Sequence, residues 1–240
     1  MKAVILVAGS GTRLRPYTDE LPKTLVPVAG RPMLDHILEA LAGFDIDETV
    51  LVTGYKSAEI ERFAQGRQGL RLIHNDRYDT LNNFYSLLVA LDYLEGHDFL
   101  KIDGDLVFEP RLVDLMLSSQ GAVRIATDTS KELGEEEMKI EVDDSGRLVR
   151  FSKEIPPERA FGESIGMEFV AAGAIEPLRR ALERLFEEGR YDAYYEEAYG
   201  ILGSEGFDVR AVAVPEDLRW IEVDDHDDLR QAEELFGGSR

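Results

Sequence analysis

Apolar residues run unbroken from Ala3 to Ala8, with β-branched Val4, Ile5 and Val7 among them, the pattern of a parallel strand buried on both faces. Gly9-Ser10-Gly11 follows at once, so the strand passes straight into a loop. From Pro32 the apolar positions Leu34, Ile37, Leu38 and Leu41 form the i, i+3, i+4, i+7 stripe of an amphipathic helix, with the proline where a first turn tolerates it. Residues 49–53 predict a second buried strand, Ser57 the cap of a short helix to Gln65, and residues 70–74 a third strand. Asn82 is placed to cap a helix carrying Tyr85, Leu88 and Leu91, ahead of a strand over Phe99-Leu100-Lys101-Ile102. Strand and helix alternate, which predicts the α/β class: a Rossmann-like, mostly parallel mixed sheet flanked by helices.

Beyond about residue 125 the pattern changes to shorter strands, a hairpin at Asp143-Asp144-Ser145-Gly146, and helices near 175–189 and 192–202. No Pro/Gly/Ser linker, internal repeat or low-complexity segment divides the chain. The expectation is one domain over residues 1–240, with a half at 1–125 and a second half at 126–240 that completes the sheet.

Composition narrows the chemistry. A chain of 240 residues, 44% of them hydrophobic, can bury a sizeable core. With no cysteine, disulfides, Cys-zinc sites, iron–sulfur clusters and thiol nucleophiles are excluded, and a reducing cytoplasm is the compatible setting. Any metal must use oxygen ligands or the four histidines. The opening apolar run is too short for a signal peptide, and no run approaches the roughly 20 residues of a membrane span, so the reading is a soluble, cytoplasmic protein.

Lys+Arg 27 against Asp+Glu 48 gives a formal charge of −21, which speaks against nucleic acid as a partner. The basic residues are unevenly placed, however. Residues 1–31 hold Lys2, Arg13, Arg15, Lys23 and Arg31 against only Asp19 and Glu20. Prolines 16, 22, 27 and 32 rule out an ordinary helix there, so Arg13 and Lys23 ride on a stiff loop near the carboxyl end of the first strand, where open α/β sheets bind ligands. The glycine loop is neither a dinucleotide fingerprint, which needs glycine where Leu14 stands, nor a Walker A loop. Asp103 and Asp105, just after a buried strand, are hard carboxylates that suit magnesium, with a plain turn as the alternative. The acidic runs Glu135-Glu136-Glu137 and Asp224-Asp225 with Asp227-Asp228 otherwise read as solvated surface or helix-start acids.

The order Gly9-Ser10-Gly11-Thr12-Arg13-Leu14, then Pro22-Lys23-Thr24-Leu25-Val26-Pro27-Val28, then Gly30-Arg31-Pro32-Met33-Leu34 resembles the signature of the nucleotidyltransferases that activate sugar phosphates and other small phosphorylated alcohols. The resemblance implies the nucleotide-diphospho-sugar transferase fold, with the first half binding nucleotide and the second half the acceptor. It also implies Mg2+ as cofactor. By the same resemblance Gly9 and Gly11 lie against a nucleoside triphosphate, with Val7, Ala8, Thr12 and Asp103 nearby. Arg13 then neutralises the phosphates and Lys23 contacts the α-phosphate or the acceptor phosphate, as the two catalytic cations. Asp105 is implied as one metal ligand, and Asp224, ending the strand Trp220-Ile221-Glu222-Val223, as the other. Lys153 sits in a segment similar to the family's Glu-Lys-Pro, where lysine reaches the acceptor phosphate; Lys139 is a second candidate, with an exposed strand lysine as its plain alternative.

Asn75-Asp76-Arg77-Tyr78 and the stretch from Leu81 to Leu88 resemble the phosphocholine and 2-aminoethylphosphonate cytidylyltransferase branch, which implies CTP, with Asn83 and Ser86 towards the cytosine edge. An ammonium-bearing acceptor wants a carboxylate or an aromatic face. Glu163, between glycines in an otherwise apolar strand, is costly there without a partner. Tyr191, Tyr194, Tyr195 and Tyr199 with Glu196 and Glu197 supply rings and charge, or else simply helix packing; Tyr195 is taken with Glu163 as acceptor-binding. The expected partners are CTP and phosphocholine or 2-aminoethylphosphonate, with a homo-oligomer left open. The alternatives are a sugar-1-phosphate or inositol-1-phosphate nucleotidyltransferase, and a regulatory subunit that binds nucleotide without reacting.

Overall fold

The computed structural model describes residues 1–135 and 137–238, so Glu136 of the acidic run lies outside the described residues. The first apolar run is β1 (Lys2–Val7). The proline-rich stretch after it holds only short pieces: one-turn helix α1 (Tyr17–Glu20), 3-10 turns at Thr12–Leu14 and Lys23–Leu25, and the two-residue strands β2 (Pro27–Val28) and β3 (Arg31–Pro32). Then come α2 (Met33–Leu41), β4 (Glu48–Thr53), α3 (Ser57–Ala64), β5 (Leu70–His74), α4 (Asn83–Ala90), β6 (Phe99–Asp103), β7 (Leu106–Phe108) and α5 (Arg111–Ser118). The second half adds β8 (Val123–Asp128), β9 (Lys139–Val142), β10 (Leu148–Ser152), β11 (Gly162–Val170), α6 (Ile175–Glu187), α7 (Tyr195–Ser204), β12 (Val209–Ala213), β13 (Trp220–Glu222) and α8 (His226–Gly237). Asn82 caps α4 as expected, accepting from the Asn83 N–H at 2.8 Å. Ser57 does not cap α3: Lys56 turns the chain in with a left-handed φ of 50°, and Ser57 already lies inside the first turn.

The main sheet runs β10-β9-β11-β6-β1-β4-β5, with β8 paired to β11 and β12 to β8. Strands β6, β1, β4 and β5 are parallel, and β11 runs antiparallel to β6 on one side and to β8 and β9 on the other. Both halves of the chain therefore feed one mixed, mostly parallel sheet flanked by helices. On one face Phe84, Leu87, Leu178, Leu182 and Tyr199 pack from α4, α6 and α7; on the other, Leu34, Ile37, Leu112 and Met116 pack from α2 and α5. Each large apolar side chain so buried contributes about 1.5–3 kcal/mol.

A third, smaller cluster positions the site. Leu14, Val26, Val28 and Met33 from the proline-rich stretch meet Val107, Val223 and Leu229, so that stretch is tied to β7 and α8 rather than hanging free. Strands β7 and β13 pair antiparallel, Leu106 opposite Glu222, and the Val223 N–H donates to Asp105 O at 3.0 Å. That ladder carries residue 224 to the end of β6. No described helix is long and apolar enough to cross a membrane.

Candidate active site

A cavity of about 500 Å³ opens at the carboxyl ends of β1 and β6, floored by Val7, Ala8 and Gly9. Gly11 makes its approach possible. It adopts a left-handed φ of 58°, and a Cβ there would stand 2.8 Å from Lys23 Cβ, so only glycine lets the lysine stem pass. Gly104 has a similar role between Asp103 and Asp105: a Cβ would meet Leu6 O at 2.7 Å, while its N–H donates to that oxygen at 3.0 Å.

Lys23 Nζ donates to both Asp105 Oδ2 and Asp224 Oδ1, and Arg13 pairs with Asp224 at 2.8 Å. Burial works against the Lys23 charge, but the two aspartates outweigh it and hold the ammonium above the ordinary lysine range. Burial would likewise raise Asp224, and Lys23 and Arg13 prevail, keeping its carboxyl below the usual range. Asp105, Glu222 and Asp224 each offer one oxygen, all within 4.8 Å of one another. Asp105 Oδ1 is buried without a hydrogen-bond partner among the described residues. Three hard oxygen donors, one of them unsatisfied, fit a divalent cation of the magnesium type.

Asn83, Ser86, Asp103, Lys153, Glu163, Tyr194 and Glu196 also line the cavity. Ser86 Oγ accepts from Asn75 Nδ2 at 2.9 Å and Asn83 Oδ1 accepts from the Tyr195 N–H at 3.0 Å, so both are oriented by the fold. Glu163 finds the partner its setting required, Lys131 Nζ at 2.9 Å, yet burial outweighs it and holds the carboxyl above its ordinary range. Gly166, at a left-handed φ of 81°, sits where a Cβ would be 2.7 Å from Asp103 Oδ2, and here β11 breaks register with β8 so as to pass that carboxylate.

Four expected ligand-contacting residues, Gly11, Thr12, Lys139 and Tyr195, do not line the cavity. Lys139 is buried away from the cavity, with Nζ donating to Gly134 O at 2.8 Å and to Glu137 O, so it braces that loop instead of reaching an acceptor. Tyr195 is fully buried beneath the wall and donates its hydroxyl to Asp103 Oδ2 at 2.6 Å. Thr12 opens the short 3-10 turn that carries Arg13 and, like Gly11, does not line the cavity.

The model of the MobA-like NTP transferase domain matches residues 3–190. The chain belongs to this family. The chain is 32% identical, over all of its length, to the CMP-5'-(3-aminopropyl)phosphonate synthase of Streptomyces rubellomurinus, of which it spans 39%. It is 38% identical over 44% of its length to the choline-phosphate cytidylyltransferase of Streptococcus pneumoniae, with 46% of that protein covered. The chain thus spans less than half the length of these curated relatives. Among solved structures, the CTP:phosphocholine cytidylyltransferase of S. pneumoniae superposes with a TM-score of 0.79 at 25% identity, covering 98% of both chains. The inositol-1-phosphate CTP transferase of T. maritima superposes at 0.78 and 19% identity, a likeness of fold.

The structure also brings to the cavity or its wall residues that the sequence did not single out. Glu222 was read only as part of a strand, yet the β7–β13 ladder turns it towards Asp105 and Asp224. Lys131 on the cavity wall carried no motif at all. Lys101 did leave a signal, a lysine inside an apolar strand that demands buried partners.

Proposed function

We propose that the transferase moves CMP from CTP to a small amine-bearing phosphate or phosphonate, in a magnesium-dependent reaction that releases pyrophosphate. The observation that carries this reading is the convergence of Arg13 and Lys23 on Asp105 and Asp224 in one cavity that Glu163 and Glu196 also line. The cations suit the phosphates of a triphosphate. The carboxylates suit the positive end of an acceptor such as 2-aminoethylphosphonate, 3-aminopropylphosphonate or phosphocholine. The names of the synthase and cytidylyltransferase relatives support the same base and the same acceptor class.

In the reaction an acceptor oxygen attacks the α-phosphorus of CTP in line; the new O–P bond forms as the bond to the β-phosphate oxygen breaks, and pyrophosphate leaves with that electron pair. The nucleophile is already an anion, so no side chain has to remove a proton. Asp105 and Asp224, with Glu222 beside them, are the residues that would hold magnesium, which when bound offsets charge on the α-phosphate and orients the acceptor. Arg13 and Lys23 neutralise the charge that shifts towards the leaving group, and the glycine loop keeps β1 close to the phosphates. Asn83 and Ser86, which line the cavity, are the side chains assigned here to the cytosine edge.

The test is pyrophosphate release with each nucleoside triphosphate in turn against a panel of phosphocholine, phosphoethanolamine, 2-aminoethylphosphonate and hexose 1-phosphates, with and without EDTA. Turnover is expected with CTP and the amine-bearing acceptors, lost in EDTA and restored by excess magnesium. Turnover with UTP or dTTP and a hexose phosphate, and none with CTP, sinks the reading. Nucleotide binding with no pyrophosphate release from any pair makes the chain a regulatory domain.

A further inference from the structure

Strand β6 carries a charge into the core. Lys101 stands among Phe99, Leu100 and Ile102 and is fully buried like them, with Nζ 2.9 Å from Asp103 Oδ2, 3.1 Å from Glu168 Oε2 and 3.4 Å from the centroid of the Tyr195 ring. Glu168 lies opposite Lys101 in the β6–β11 ladder and has no exposed side-chain surface of its own. Glu196 on α7, buried one residue beyond Tyr195, adds a third carboxyl to the cluster around this ammonium. Stability alone does not call for such a lysine. Burying two charges costs hydration that their pairing often fails to return, and apolar residues of similar volume frequently hold a core as well or better.

What sets Lys101 apart is the acid it holds. Of its two ion-pair partners Glu168 is closed off, whereas Asp103 ends the strand on the cavity wall with 22% of its side-chain surface open. The described partners of that carboxylate meet a single oxygen: Lys101 Nζ at 2.9 Å and the Tyr195 hydroxyl at 2.6 Å both reach Oδ2. Gly166 closes on the same atom, since a Cβ there would stand 2.7 Å from it. Oδ2 is thereby fixed in the wall, and Oδ1 is the oxygen the carboxylate has left for a ligand. Turning the carboxylate would break a charge-assisted bond and a hydroxyl bond together, so its orientation is set from behind. Lys101 itself stands behind the wall and does not line the cavity.

We propose that Lys101 is a positioning residue: held between Glu168 and the Tyr195 ring, it fixes the Asp103 carboxylate so that Oδ1 is presented to substrate in the cavity, and it acts on turnover through Asp103. The inference rests on the reading of the chain as a nucleotidyltransferase, whatever its base and acceptor, and adds to that reading a residue that touches no ligand.

The experiment is a kinetic cycle of the wild-type chain, Lys101→Met/Glu168→Gln, Asp103→Asn and the triple variant, each read as kcat/KM per folded molecule on the nucleotide and acceptor pair that the wild type turns over fastest. The double variant removes both charges of the pair at nearly constant volume, so its melting temperature is expected within about 5 °C of wild type. Asp103→Asn and the double variant are each expected to lose about 10- to 100-fold in kcat/KM. The triple variant is expected to lose no more than Asp103→Asn does, because position 101 then has no carboxylate to act through. Should the double variant not fold, Lys101→Gln takes its place in the cycle. Losses that multiply in the triple variant show a role independent of Asp103, and wild-type kcat/KM in a folded Lys101 variant shows a role in stability alone; either result overturns the proposal while leaving the transferase reading intact. No pyrophosphate release by the wild type with any pair removes that parent reading, and the proposal with it, before any variant is compared.

Discussion

Gly11 and Lys23 are packed so closely that a Cβ on residue 11 would come within 2.8 Å of Lys23 Cβ. The glycine therefore sets the path of the lysine that bridges Asp105 and Asp224. Gly11→Ala is expected to displace Lys23 and lower kcat/KM by about 100-fold, since a misplacement near 1 Å is enough for that. The left-handed φ of 58° adds a stability cost of about 1–2 kcal/mol. Steady-state kinetics and a denaturant titration separate the two effects; a variant with unchanged kcat/KM removes Gly11 from the positioning of Lys23.

Asp224 and Asp225 are adjacent acids with different work. Asp224 faces Lys23 and Arg13, whereas the Asp225 side chain accepts from the Asp227 and Asp228 N–H groups at 2.8 and 3.0 Å and caps α8. Asp224→Asn is expected to reduce pyrophosphate release on the order of 100- to 1000-fold while the melting temperature hardly moves. Asp225→Ala is expected to lower the melting temperature by a few degrees and leave turnover per folded molecule largely intact. The opposite pairing of effects would reassign the two residues.

Tyr195 supports the site from beneath. Tyr195→Phe deletes the 2.6 Å hydrogen bond to Asp103 but keeps the ring over Lys101, so about 1.5–3 kcal/mol of stability should be lost, as for other bonds to charged groups. Tyr195→Leu also removes the ring face from a desolvated ammonium, and about 2 kcal/mol more should go. Equal stability of the two variants in urea would show that the ring contributes nothing to holding Lys101.

Glu168 and Glu196 are held above the ordinary carboxyl range, at about 7 and about 8, so the folded chain keeps protons there that the unfolded chain releases. Their contribution to stability is complete below the unfolded value and falls away as pH rises through the folded values. The melting temperature is therefore expected to decline from pH 6 to pH 9. Glu196→Gln, which cannot titrate, should show a shallower decline when both proteins are scanned in the same buffers, and an identical slope would take Glu196 out of the cluster.

The strands and helices were legible where packing writes a period into the chain. The run at 3–8, the stripe from Leu34 to Leu41 and the cap at Asn82 each record a local rule, and β1, α2 and α4 follow it. Ser57 marks where such a rule loses: the left-handed turn at Lys56 starts α3 one residue earlier than the serine cap requires. The cations at 13 and 23 were legible because prolines and glycines fix the loop that bears them. Lys139 misled because an alternating strand pattern says which face a residue occupies, not that loop carbonyls lie within reach of its ammonium.

The sequence by itself determined the alternation of strand and helix, the concentration of positive charge beside the first strand, and the acids at 103, 105 and 224. These are local facts, carried by side-chain period, by the fixed φ of proline and by charge count. Only the tertiary structure decided which acids meet. The pairing of β7 with β13 brings Asp224 and Glu222 to Asp105, and the entry of β11 beside β6 brings Glu168 to Lys101. Contacts between residues so far apart along the chain depend on register and on burial shared by many side chains, and no short stretch of sequence records them.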